Sequence, residues 1–111
     1  MNSKNFTIHE DARRTLIEWI ADSPFRSAKV VVAKSQQAIG RHYHRNKDEI
    51  FLLLSGRAVR AVVGGVVKVN VEAPGRWEVP AGAYHEFELE AGSVLLGAAT
   101  RPFDPEDEIG S

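Results

Sequence analysis

Every apolar run in this chain is short, and turn residues end each one. "AKVVVA" (residues 28–33), "EIFLLLS" (49–55), "AVRAVV" (58–63), "VVKVNV" (66–71), "RWEVP" (76–80), "YHEFELE" (84–90) and "VLLGAAT" (94–100) follow one another, with Ser55-Gly56-Arg57, Gly64-Gly65 and Ala91-Gly92-Ser93 between neighbours. Runs of this length, rich in β-branched residues and bounded by Gly, Pro and Ser, predict strands. Gly64-Gly65 is a hairpin signal, because glycine accepts the positive φ that a two-residue turn requires. "TLIEWI" (residues 15–20), which helix or strand would suit, is read as a further strand, and the "DSPF" after it as a turn. Short strands at this spacing, with little helix, predict an all-β sandwich or small barrel. The 111 residues make one domain, with the barrel over 26–101 and an irregular, solvated acidic tail over 102–111 that holds two prolines.

Residues 49–55 add a constraint on assembly. Phe51 and Leu53 share one face of the strand, and Ile50, Leu52 and Leu54 share the other. A strand apolar on both faces packs against a second sheet or a second subunit, and a homodimer is expected. Composition narrows the partners. Fourteen Lys and Arg balance fifteen Asp and Glu, for a net charge of −1. With no basic excess, nucleic acid is not an expected partner. No apolar run is long enough for a membrane-spanning helix, and the N-terminus lacks the apolar core of a signal peptide. Cysteine is absent, which removes disulfides and thiol chemistry and fits a cytoplasmic protein.

The chemistry concentrates in "GRHYHRNKDE", residues 40–49. His42 and His44 are two apart on an extended segment, so both point to one face. A polar break follows, and Glu49 opens the next strand, where a turn can bring its carboxylate back beside the imidazoles. In "PAGAYHEFELE", His85, Phe87 and Leu89 alternate with Glu86, Glu88 and Glu90. Three glutamates belong in water, so His85 faces inward with Phe87 and Leu89. The fourth histidine, His9, is read as a surface residue.

His42, His44, Glu49 and Gly56, taken with Gly75, Pro80, Gly82 and His85, resemble the two cupin motifs in order and spacing. The second motif is one residue shorter after its leading glycine, and Leu89 stands where an asparagine often closes it. The resemblance implies a double-stranded β-helix, a jelly-roll-like barrel of two antiparallel sheets. It also implies that His42, His44, Glu49 and His85 bind a divalent metal inside. Three imidazoles and a carboxylate suit Mn, Fe, Ni or Zn.

A second resemblance begins at the N-terminus. "EDARRTLIEWIADSPFRSAKVVVA" and the tail "ATRPFDPEDEI" are similar to the opening and the end of nucleotide-sugar 3,4-ketoisomerases and the related 3,5-epimerases. Arg14 stands where those enzymes have the glycine of an Asp-x-Arg-Gly signature. Ile39-Gly40 stands where they have Arg-Gly. Glu49 is a carboxylate they usually lack. This resemblance implies His42 and His44 as an acid/base pair working through an enediol, with no metal.

Three functions follow. One is a metal-dependent cupin enzyme acting on a small polar substrate, a sugar or keto acid. Another is a metal-independent isomerase or epimerase of a dTDP-linked keto-deoxyhexose. The third is a sugar- or metal-binding module without turnover. Tyr43, Arg57, Arg60, Trp77 and Tyr84 are candidate substrate contacts, since aromatic rings stack on sugars and guanidinium matches phosphate; each also suits an ordinary half-buried position.

Overall fold

A computed structural model of the chain describes residues 6–12, 15–19, 25–101, 104 and 106–110. Residues 22–24 of the expected "DSPF" turn, Arg14 and the side chain of His9 lie outside the described residues. The strands are β1 (Phe6–Glu10), β2 (Thr15–Trp19), β3 (Ser27–Val32), β4 (Gln37–His44), β5 (Glu49–Ser55), β6 (Arg57–Val63), β7 (Val66–Glu72), β8 (Gly75–Val79), β9 (His85–Leu89), β10 (Val94–Ala99) and β11 (Glu108–Gly110). Among the described residues no helix is long and apolar enough to cross a membrane. β1 and β2 form a two-stranded ribbon; β3-β10-β5-β8 and β11-β4-β9-β6-β7 are the two main sheets. All pairs are antiparallel. This is the double-stranded β-helix that the two motifs imply. Gly64 and Gly65 turn β6 into β7 at φ +56° and +84°, as the hairpin signal requires.

The tail departs from expectation. Residues 108–110 are not irregular: they pair with β4 and close the edge of the five-stranded sheet. Asp107, just before them, is buried rather than solvated. The backbone groups at the edge of β4 supply the bonding partners that the tail's own composition does not reveal.

The interior changes character along the strands. Leu53 of β5 lies opposite Leu95 of β10, and Phe51 lies opposite Gly97. On the facing sheet, Leu89, Phe87 and His85 run in the same direction along β9. Phe51, Leu53, Phe87, Leu89 and Leu95 close one end as an apolar core. Each such side chain contributes about 1.5–3 kcal/mol by leaving water. Toward the other end the inward positions turn polar, with Glu49 after Phe51, His85 after Phe87, and His42 and His44 after Ile39. The apolar end fixes the two sheets, and the polar end is left as a mouth.

Candidate active site

β4 carries two of the three histidines, and a bulge decides where they point. Ile39 packs on the core. Strict alternation from Ile39 would turn Arg41 and Tyr43 inward and both histidines out. The pairing with β9 skips a residue instead: Gly40 lies opposite Glu86, and His42 opposite His85. Gly40 (φ +87°) and Arg41 (φ +65°) are both left-handed. The extra residue reverses the phase of the strand. A Cβ on Gly40 would lie 2.7 Å from the His85 carbonyl oxygen and 3.0 Å from its Cδ2, so only glycine fits this approach.

The structure brings His42, His44, Glu49 and His85 to one place. Ring centroids are 4.6 Å apart for His42–His44 and His42–His85, and 5.6 Å for His44–His85. One nitrogen from each ring lies within 4.8 Å of the others. Glu49 Oε1 is 3.4 Å from His44 Nε2 and 3.7 Å from His85 Nε2. His44, Glu49 and His85 are buried, while His42 is half-buried and nearer the opening. Burial is the main reason His85 is pushed from 6.5 down to about 3; positive charge on His42 and His44 adds to the shift, the Ala83 backbone opposes it, and Lys29 adds a little. His85 is a neutral imidazole at neutral pH.

Asp107 is the site residue that sequence reasoning missed. Its Oδ1 accepts hydrogen bonds from the backbone N–H of Arg45 (3.0 Å) and Asn46 (2.8 Å). Those bonds leave Oδ2 facing His44 Nδ1 at 3.7 Å. His44 therefore has a carboxylate beside each ring nitrogen: Asp107 at Nδ1 and Glu49 at Nε2. At 3.7 Å and 3.4 Å the two carboxylates flank the ring at ion-pair distance, both of them buried with it. The one sequence signal was Ile109, an apolar residue within an acidic tail.

Four of the five candidate substrate contacts face elsewhere. The bulge puts Tyr43 on the face opposite the histidines, paired with Ile109 of β11. Arg57 binds Glu90 through Nε (3.0 Å) and Nη2 (2.5 Å), near the apolar end. Arg60 Nη1 donates to Glu86 Oε2 at 2.9 Å, and Tyr84 Oη donates to Glu86 Oε1 at 3.1 Å. Glu86 lies on the outward side of β9, yet its side chain is only 13% exposed under these groups. Glu86 of β9 and Glu90 just after it thus engage arginines that were candidates for phosphate. Trp77 does face inward, opposite Phe51 and 5.1 Å from the Phe87 ring.

No protein-family model matches the chain, and no curated protein matches its sequence. Solved structures do match. A 3,4-ketoisomerase from Helicobacter canadensis superposes with a TM-score of 0.76 at 20% identity, over 96% of this chain and 87% of that one. A 3′-monoepimerase from Streptomyces bikiniensis in complex with dTDP-quinovose gives 0.78 at 20% identity, over 95% of this chain and 66% of that one. A 3,4-ketoisomerase from Thermoanaerobacterium thermosaccharolyticum, a double mutant in complex with TDP, gives 0.76 at 22% identity, over 96% and 84%. At these identities the likeness is one of fold, and the fold is the cupin jelly roll.

Proposed function

We propose that this chain is a metal-independent, proton-transferring isomerase or epimerase of a keto sugar, with His44 as its base. One observation carries the proposal: His44 lies between Asp107 and Glu49 inside a jelly roll of the shape that solved sugar-nucleotide isomerases and epimerases share. Nε2 of His44 takes the proton from the carbon beside the carbonyl, while the carbonyl oxygen takes one from His42. The product is an enediol. Returning a proton to the neighbouring carbon moves the carbonyl by one position; returning it to the opposite face of the same carbon inverts that centre. Nothing is oxidised or reduced overall, and no co-reactant is consumed. Neutral His85 donates a hydrogen bond to the oxygen on which charge develops. The first substrate to test is a dTDP-linked 4-keto-6-deoxyhexose, since one neighbour holds dTDP-quinovose and another TDP. We place the enzyme in the cytoplasm as a homodimer. Proton NMR in D2O tests the chemistry. The signal beside the carbonyl is expected to disappear in the presence of chelator, and His44→Asn to slow that loss by roughly 100-fold or more. Absence of exchange with the wild-type chain would sink the assignment.

The convergence of three imidazoles supports a second function. Nitrogens within 4.8 Å of one another, with Glu49 beside two of the rings, fit a first-row divalent ion. His42, His44, His85 and Glu49 would hold it. A bound ion supplies Lewis acidity toward a carbonyl or hydroxyl oxygen. Elemental analysis before and after chelation, on the wild type and His85→Ala, decides the point. About one ion per chain, lost in the variant, favours the metal enzyme.

A further inference from the structure

β11 is three residues long and, among the described strands, pairs with β4 alone. Fixing the backbone of one residue costs about as much as one net ladder bond returns, so pairing by itself holds so short a strand weakly. The segment around it is acidic. Residues 104–111 read "DPEDEIGS", in which Ile109 is the one β-branched apolar side chain. Ile109 lies directly opposite Tyr43, and both are half-buried. Residues opposite each other in an antiparallel pair project to one face, with Cβ atoms about 4.5–5.5 Å apart. The aliphatic side chain therefore rests beside the Tyr43 ring, on the face of β4 away from the histidines.

The same register sets the Asp107 carboxylate. Residue 108 lies opposite His44, so Asp107 falls beside Arg45 at the end of the ladder. Its carbonyl oxygen accepts from the Arg45 N–H at 3.3 Å, and its Oδ1 accepts from the N–H groups of Arg45 and Asn46. Oδ2 is then 3.7 Å from His44 Nδ1. A slip of β11 by one residue would move Asp107 by about 3.4 Å and turn Ile109 to the other face. We propose that Ile109, seated against Tyr43, is a positioning residue: it locks the register of β11 on β4 and so holds the Asp107 carboxylate at His44. The catalytic consequence rests on His44 as the base, whereas the lock itself does not. Tyr43, a candidate substrate contact by sequence, is the seat of this lock.

Amide hydrogen exchange followed by ¹H–¹⁵N NMR reads the lock without substrate. In Ile109→Ser the N–H groups of Arg45 and Asn46 should exchange at least about tenfold faster, while those of Phe87 and Leu95 keep their protection. Kinetics on the dTDP-linked keto sugar reads the consequence. In Ile109→Ser, kcat for proton exchange should fall roughly tenfold with KM unchanged, because neither residue of the lock sits at the substrate. Ile109→Val should restore the wild-type rate. Ile109→Ser combined with Asp107→Asn should be no slower than Asp107→Asn alone, since both changes act through one carboxylate. Tyr43→Ala carries the same tests should Ile109→Ser fail to fold, and Tyr43→Phe should match the wild type. Faster amide exchange in Ile109→Ser, with no turnover by the wild-type chain, would support the lock and sink the isomerase assignment alone. Wild-type protection of both amides in Ile109→Ser and Tyr43→Ala overturns the proposal. So does a double variant whose losses multiply, or a raised KM in place of a lowered kcat.

Discussion

Gly40 has no functional group, yet it sets where the histidines point. A side chain there meets the His85 carbonyl at 2.7 Å, and backbone cannot yield as a flexible side chain would. The φ of +87° adds a left-handed cost of about 1–2 kcal/mol for an L-residue. Gly40→Ala should therefore lower the unfolding free energy by about 1–3 kcal/mol in urea titrations. It should also slow proton exchange by at least about tenfold, because the His85 ring shifts with its backbone. A variant with the wild-type exchange rate would remove the bulge from the account of the site. His85 itself sets a pH dependence of definite sign. Its folded pKa of about 3 lies below its ordinary 6.5, so the unfolded chain takes up the proton first. Above pH 6.5 both states are neutral and His85 contributes no slope. As pH falls from 6.5 toward 3, stability is lost at up to about 1.4 kcal/mol per pH unit, and the loss levels off below 3. Urea titrations at pH 7, 6 and 5 should show this slope in the wild type and its reduction in His85→Gln. Equal slopes in the two proteins would mean that His85 titrates normally in the fold.

Single elements differ in how much of themselves the sequence reveals. β9 was legible throughout: its two-residue alternation put His85, Phe87 and Leu89 inside, and all three are buried. β4 was legible in part. The spacing of His42 and His44 sets them on one face, but which face depends on the bulge at Gly40 and Arg41, and that is set by pairing with β9. β11 was not legible, because three residues are too few to show a period and their bonding partners lie on β4. The same limit hid Asp107, whose role comes from a carboxylate fixed by two N–H groups more than sixty residues away. Asp107→Asn tests that role without disturbing the strand. The amide oxygen still accepts from Arg45 and Asn46, so the melting temperature should hardly move. The amide nitrogen then faces His44 Nδ1 and donates to it, which drives the imidazole proton to Nε2. A base in the wrong tautomer should exchange substrate protons roughly 100-fold more slowly. An unchanged exchange rate would leave Asp107 as a structural anchor alone.

At the scale of the whole molecule, the barrel is graded from an apolar end to a polar mouth, and assembly must leave that mouth usable. The sequence argument for a dimer rested on Ile50, Leu52 and Leu54, but Ile50 and Leu52 are 1% and 2% exposed within a single chain. Exposed apolar surface lies elsewhere. Val30 and Val32 are 59% and 58% exposed on β3, and Val66, Val67 and Val69 stand out on β7. β3 and β7 are edge strands of the two main sheets. An edge that shows β-branched side chains offers both apolar area and strand pairing to a second copy. β3 is the better candidate for the contact, because its alternation puts Val30 and Val32 outward while Val31 packs on the core and Lys29 lines a cleft beside Glu49. Charging the outward positions should thus separate the subunits without touching the interior. Sedimentation equilibrium is expected to give a dimer for the wild type at micromolar concentration. It should give a monomer for Val30→Lys combined with Val32→Lys, with unchanged circular dichroism. A wild-type monomer would leave the valines of β3 without a partner copy. A double variant that stays dimeric would move the interface to β7, whose valines are the other exposed apolar edge among the described residues.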